Sequence, residues 1–398
     1  MRRQIWWEYK IMWNEVTRVS AAVMCVVVVL HLLVYLNLQY RAIDSQGQIV
    51  EGLASYRALR EAAEAVKGTM DGDYIKALVE SYNNSFDKAY MAEHRGFLGT
   101  GGMTKYMVPN YFVNYVYFGP YMSNGNNKVG LDYDFLESEE IFYQTYRETV
   151  KEHLLLDSYT EEQVQILEKK ISQLKTPFQT GYYQGLANLR SWFMLDYGLT
   201  FFALAFTLAG VFAADHAGGV TELTLSSRYG RKHNFDARWV AGNLAAVSVY
   251  LIFIAVQVIV NGLIATLDGW DLPAQMFWFT CLYNITVGQG LLIMFAGGLL
   301  GALVIGNMVI LISIIIKNRK LAAVISVVAA ALILRSQNDY GQLRMIHPAH
   351  FKDDDLINEY IFIGNLAVPY FVIVVVLTLL YAAVFRGVTK LCYRKYGI

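Results

Sequence analysis

ITVGQGLLIMFAGGLLGALVIGNMVILISIII, residues 285–316, contains no charged side chain. A helix needs about 20 apolar residues to cross the hydrocarbon layer of a bilayer. At 1.5 Å per residue this run would be on the order of 50 Å long. We read it as a membrane span that tilts, or whose outer end projects into water. Gly297 and Gly301 form a small-residue face, with Gly298 and Gly306 nearby. Such a face lets helix backbones approach closely in lipid. It is expected to serve helix packing within the chain, or a dimer seam.

Five further apolar runs flank this one. They cover 20–38, 192–214, 240–264, 321–334 and 363–385. The fifth span, 321–334, is short for a full crossing and reads either as a span or as part of a re-entrant pair shielded by protein. Charged residues make up only 17% of the chain, against about 25% in soluble domains. The net charge of zero offers no case for a nucleic-acid partner.

Lysine and arginine orient the spans, because loops on the inner side carry the excess. With the N-terminus inside, the inner segments hold Arg2, Arg3, Lys10 and Arg18; then Arg228, Arg231, Lys232 and Arg238; then Lys317, Arg319 and Lys320; then Arg386, Lys390, Arg394 and Lys395. The outer loop 265–284 has none. The outer loop 335–362 offsets its three with Asp339, Asp353, Asp354, Asp355 and Glu359. The expected architecture is an all-α polytopic protein of the cell membrane. It has six spans, cytoplasmic N- and C-termini and a basic tail, 386–398. A mainly helical extracellular domain, 39–191, sits between the first and second spans. Residues 1–19 carry Trp6, Trp7 and Trp13 among basic groups and read as an amphipathic helix at the interface. The N-terminal apolar run has no cleavage pattern and is expected to stay as an anchor.

Within 39–191, residues 45–68, 71–84 and 159–177 read as helices from their helix formers and stop signals. The tyrosine-rich stretch 105–130 reads as short strands or a loop platform. Cys25, Cys281 and Cys392 suit neither a metal site nor a disulfide framework.

No nucleotide-binding phosphate loop occurs in the chain. GTGGMTKY, residues 99–106, has the wrong spacing and reads as a surface loop. HPAH, residues 347–350, holds two histidines with no third ligand and reads as a turn. Neither a zinc-protease nor a serine-hydrolase motif is present. The chain is therefore not expected to be an enzyme, and no cofactor is expected in it. Polar residues inside the spans are the next candidates. Asn37, Asp196, Asn261 and Gln289 fall near outer ends, where water would solvate them. His31, Gln257 and Asn307 lie deeper and read as helix-to-helix hydrogen bonding or as the lining of a translocation path. No acid-and-base series points to a proton relay.

Residues 212–232, FAADHAGGVTELTLSSRYGRK, join the second and third spans. Gly218 and Gly219 permit a sharp change of direction. The following residues can form a short helix beside the inner headgroups, which a soluble partner could push. Asp215, a glycine at 218 or 219, Leu223, Leu225, Ser226, Ser227, Gly230 and Arg231 resemble the intracellular coupling segment of ABC type-2 transporter permeases. EYKIMW at 8–13 and the order of one span, an external domain and five spans are similar to that family as well. Asp215 departs from the glutamate common there. The resemblance implies a transmembrane subunit of a bacterial exporter that dimerises, as a homodimer or with a second permease. It would bind a separate ABC ATPase through Asp215, Gly218, Gly219, Val220, Glu222, Leu223, Arg228 and Arg231, in the inner loop 215–239. ATP and magnesium would be held by that partner. The alternatives are an ATPase-coupled transmitter that moves its external domain without cargo, and a peptide-binding receptor or immunity protein.

Overall fold

The computed structural model describes residues 1–39, 41–44, 46, 48–85, 138–156, 159–214, 233–335, 347–349 and 353–395. The tyrosine-rich stretch 105–130, the GTGGMTKY loop and the segment 215–232 lie outside these residues. The described chain is mostly helical, and five helices are long and apolar enough to cross a membrane. They are α2 (Glu15–Gln39), α7 (Gln184–Leu208), α8 (Phe235–Ala265), α9 (Val287–Ile315) and α12 (Tyr370–Lys395).

A sixth apolar helix, α10 (Arg319–Arg335), has 17 residues. That is about 25 Å of helix, short of the ~30 Å hydrocarbon layer. It starts beside α7 at Gly210, which faces the Arg319 side chain, and its far end places Leu334 against Gly198. It therefore rises only part of the way along α7.

Side-chain contacts sort the helix ends into two sets. At one end α1 (Arg2–Met12) lies on the start of α8. There Gln4 Nε2 donates to Asn234 Oδ1 at 3.2 Å, and Arg238 meets Glu8 at 3.4 Å. Arg319 donates to Asn14 at 3.1 Å, and Arg386 to Asp236 at 2.9 Å. At the other end Tyr182 donates to the Ala265 carbonyl at 2.8 Å, Arg60 pairs with Asp268 at 2.9 Å and Arg190 with Asp354 at 2.6 Å. The long helices thus alternate in direction. α7 and α9 are the most buried of them. Leu30, Leu251, Val376 and Leu379, on α2, α8 and α12, keep exposed apolar side chains, which is how helices face lipid rather than water.

The segment between α2 and α7 folds onto the second set of ends. It holds α3 (Leu53–Ala65), α4 (Gly72–Ser85), α5 (Glu139–Leu156) and α6 (Glu161–Ser172), with the short pairs β1 (Arg41–Ile43)–β2 (Ile49–Glu51) and β3 (Gly68–Thr69)–β4 (Gln179–Thr180). The helix expected from residue 45 starts only at Leu53. Asp44 Oδ1 accepts the backbone N–H groups of Gln46 and Gln48 at 2.9 and 2.8 Å, so the chain reverses into a hairpin instead. Gly52 then turns into α3 at φ 62°, where a Cβ would stand 2.8 Å from the Asn37 carbonyl. α6 opens on a reciprocal capping box between Thr160 and Gln163.

The core of this segment is continuous with that of the bundle. Phe142, Tyr143, Tyr146, Leu167 and Phe178 are buried in the same cluster as Phe193, Tyr197 and Phe253. Tyr143 donates to the Met70 carbonyl at 2.9 Å and accepts the Phe178 N–H at 2.8 Å. Burial holds its phenol well above the ordinary range.

The last expected span, 363–385, is displaced along the chain. Residues 360–369 form a hairpin of β5 (Tyr360–Ile363) and β6 (Leu366–Pro369), turned at Gly364 with φ 60°. α12 therefore begins at Tyr370 and carries Arg386 and Lys390 within the helix.

The glycine face of α9 is filled by this chain's own residues. An added Cβ at Gly297 would meet Leu356 of α11 (Asp353–Asn358) at 2.6 Å, and one at Gly301 would lie 3.0 Å from Ala349 Cα and from the Pro348 carbonyl. Gly301 lies about 21 Å into α9 at 1.5 Å per residue. The non-helical turn at 347–349 thus reaches back to mid-bundle, where it is covered by protein, the setting in which such backbone is tolerated at membrane depth.

Candidate functional site

Three helices bring ionisable and amide groups together inside the apolar layer. His31 comes from α2, Trp192 and Asp196 from α7, and Gln257 and Asn261 from α8. His31 and Gln257 each lie roughly two turns, about 12 Å, below their helix ends at Gln39 and Ala265. His31 Nδ1 contacts Asp196 Oδ1 at 2.5 Å. Gln257 Nε2 donates to Asp196 Oδ2 at 2.9 Å. Both carboxylate oxygens are therefore engaged, each by a different helix.

The surroundings are aromatic. The His31 ring meets Tyr35 edge-on at 4.4 Å and Trp192 at 5.1 Å, and Tyr35 lies 4.8 Å from Trp192. The side chain of His31 is 20% exposed and that of Asp196 only 4%. Gln257 and Asn261 are fully buried. Three polar atoms here have no hydrogen-bond partner: Trp192 Nε1, Gln257 Oε1 and Asn261 Oδ1. An unpaired carboxylate at the centre of a spanning helix costs roughly 2.5–3.5 kcal/mol on insertion scales. The amide of Gln257 offsets part of that cost by donating to it, and the hydrogen bond with the imidazole offsets more.

Asp196 was expected near an outer end, in reach of water, and the structure corrects this. α7 starts at Gln184 rather than near 192. Leu186, Leu189 and Trp192 are buried and carry the helix beyond the apolar run, so Asp196 lies about three turns inside it.

Of the three deeper residues, His31 and Gln257 meet through Asp196, while Asn307 stands apart. Asn307 Nδ2 donates to Asn243 Oδ1 at 2.8 Å, two turns from the opposite end of the bundle, and joins α9 to α8. Asn261 bonds back to the Gln257 carbonyl at 2.8 Å. Gln289 forms the capping box of α9 with Thr286. Gly297 and Gly301 pack against Leu356, Pro348 and Ala349 as described. The sequence placed His31 and Gln257 at depth. The signal for Asp196 was its charge in an apolar run, which misjudged helix boundaries obscured.

Asp215, Gly218, Gly219, Val220, Glu222, Leu223, Arg228 and Arg231 all lie outside the described residues. The anchors of their segment are described. Phe212 stacks on Phe235 at 6.0 Å and packs on Tyr393 at 5.5 Å, and Arg238 Nη1 donates to the Val211 carbonyl at 3.3 Å. The start and end of the 215–232 segment are thereby held close together at the end of the bundle that carries α1.

Among the described residues, pockets also lie elsewhere. A cavity of about 730 Å³ between α3 and the 267–272 loop is lined by Arg57, Arg60, Glu64, Lys67, Asp268 and Asp271. An apolar groove of about 560 Å³ runs between α2 and α7, along Val19, Val23, Leu199 and Phe206. Compared with protein-family models, with curated proteins and with solved structures, the chain matches none at a significant level.

Proposed function

We propose that the chain is the membrane subunit of an ATP-driven exporter. It works as one of two permease copies and is coupled through the 215–233 segment to a separate ABC ATPase. The observation that carries this reading is the clamped base of α7 and α8. Phe212, Phe235, Tyr393 and Arg238 bind the start and end of that segment to one another. A force applied to the segment would pass to both helices rather than be absorbed in slack. Its basic residues, with those of α1, α10 and α12, favour the cytoplasmic side for this end. The fifth span of this reading is α10 together with the turn at 347–349 and α11, and the extracellular domain is the 39–191 segment. The cargo is a peptide, lipid or drug-like molecule.

The test is co-purification with candidate ATPases, and ATP-dependent movement of labelled compounds in vesicles. Glu222→Arg with Leu223→Asp is expected to abolish transport while the protein still folds. Unchanged ATPase binding and transport in that double variant would refute the coupling role.

One observation favours a second reading, mechanical transmission without cargo. Tyr146 donates to the Phe279 carbonyl at 3.0 Å and Tyr159 to Glu359 at 2.8 Å, so the 39–191 segment is tied to two separate helix connections. Movement of the spans would then move that segment directly. Vesicle transport separates the two readings.

A further inference from the structure

We propose that His31 and Asp196 form a proton-binding site within the membrane, and that the proton they share holds α2 against α7 and α8. The ligand is a hydrogen ion. The inference goes beyond the exporter reading and needs neither an ATPase nor a cargo.

The geometry carries the proposal. His31 Nδ1 and Asp196 Oδ1 are in direct hydrogen-bond contact, and a contact between a ring nitrogen and a carboxylate oxygen needs a proton between them. With Nε2 also protonated, one proton held between Nδ1 and Oδ1 leaves the pair with no net charge, whether that proton resides on nitrogen or on oxygen. Uptake of a second proton by the carboxyl group leaves an imidazolium without its counter-charge. Loss of the shared proton leaves a carboxylate beside a neutral ring. Each of those states puts a net charge at membrane depth, where only water or a partner can stabilise it. Separation of α2 from α7 lets water in, so each favours an open junction. The one-proton state favours the closed one.

The neighbours from every packed element fit a site for a positive ligand. On α2 the next titratable group is Tyr35, edge-on to the ring. On α7, Trp192 borders the ring, and the Tyr197 hydroxyl is already donated to the Gly298 carbonyl at 2.8 Å. On α8, Gln257 donates to the carboxylate, while its Oε1 and the Asn261 Oδ1 one turn away are unpartnered acceptors. Tyr250 donates to the Phe295 carbonyl. α9 has no charged residue along its length. α3, at the outer end of α8, commits Arg60 to Asp268. α10 meets α7 through Leu334 at Gly198, and among the side chains described on these elements no second cation contacts the pair. His31, one-fifth exposed, is the more accessible end of the pair, and Asp196 is the enclosed end.

The experiment uses the full chain in lipid nanodiscs, with pH as the probe. Histidine ¹⁵N resonances are followed through titration, with His31→Gln to assign His31. The expected result is one protonation state for His31 across about pH 5–8, while solvent-facing histidines titrate near pH ~6.5. Thermal unfolding is then compared in His31→Gln, Asp196→Asn, their double variant and the exchanged pair His31→Asp/Asp196→His. The double variant is expected to lose no more than the worse single one. The exchanged pair is expected to restore the wild-type plateau against pH. A His31 that titrates like a solvent histidine, or losses that add while the pH profile stays unchanged, overturns the proposal. If a substituted chain does not fold, the wild-type titration decides alone.

Discussion

At Gly301 a methyl group would stand 3.0 Å from Ala349 Cα and from the Pro348 carbonyl. It would also press on the Tyr197 hydroxyl, and the two backbone neighbours cannot turn aside as a flexible side chain would. Gly301→Ala is therefore expected to destabilise the fold by about 1–3 kcal/mol, the usual range for overpacking, read as a lower unfolding temperature in micelles. Cys281 makes a different case. It is fully buried outside the spans, and burial pushes its thiol up to about 12 from 9.0. The unfolded chain loses this proton first as pH rises through 9, so this contribution to stability is present below pH 9 and fades above it. Buried Tyr143, also raised by burial, works in the same direction at higher pH. Stability is expected to fall from about pH 9 upward, and a thiolate-directed reagent at pH 8 is expected to modify Cys281 only after unfolding. The glycine face was visible in residues 297–301 because spacing alone reveals it. Its occupant was not, since Pro348 and Leu356 arrive from a segment whose path depends on the whole bundle.

Caps and boundaries belong to the helices. α9 begins where Thr286 accepts the Gln289 N–H at 3.2 Å and Gln289 returns a bond to the Thr286 N–H at 3.0 Å. Thr286→Ala is expected to cost about 1 kcal/mol, the typical loss of an N-cap, measurable as earlier exchange of the amides in the first turn of α9. Apolar runs marked the five long helices, because a bilayer requires a sustained apolar length. They marked the ends less well. α7 reaches outward to Gln184 because Leu186 and Leu189 are buried against protein rather than lipid. The strands at 41–51 and 360–369 carry apolar residues that read as helix or span, and local turns at Asp44 and Gly364 overrule that pattern. The same boundary error hid the His31–Asp196 pair. Three helices whose central residues are far apart in the chain must be in register before that contact exists.

For the whole molecule, the main question is whether the 39–191 segment is a separate body or part of the bundle. Its buried side chains do not close on themselves. Tyr146 packs edge-on to Phe279 at 5.2 Å as well as bonding its carbonyl, and Tyr159 receives the Tyr360 N–H at 2.8 Å. Asn188 at the head of α7 donates to Tyr56 at 3.2 Å, and Asn284 accepts the Lys175 N–H at 2.8 Å. Removing the bundle would expose Phe178 and Tyr146 to water and remove the hydrogen bonds that Tyr56, Tyr146 and Tyr159 make across the junction. Residues 40–183 expressed alone are therefore expected to lack a cooperative thermal transition, while the full chain in micelles shows this segment and the spans melting together. The same continuity carries motion. A tilt of α7 shifts Asn188 and Arg190, and through them Tyr56, Phe277 and Asp354. Arg190→Ala removes the links to Phe277 and Asp354 and leaves the one to Tyr56. It is expected to broaden the transition of the 39–191 segment more than that of the spans, measured by hydrogen exchange on α5 against α9. Equal changes in both would mean that the segment follows the bundle by some other contact.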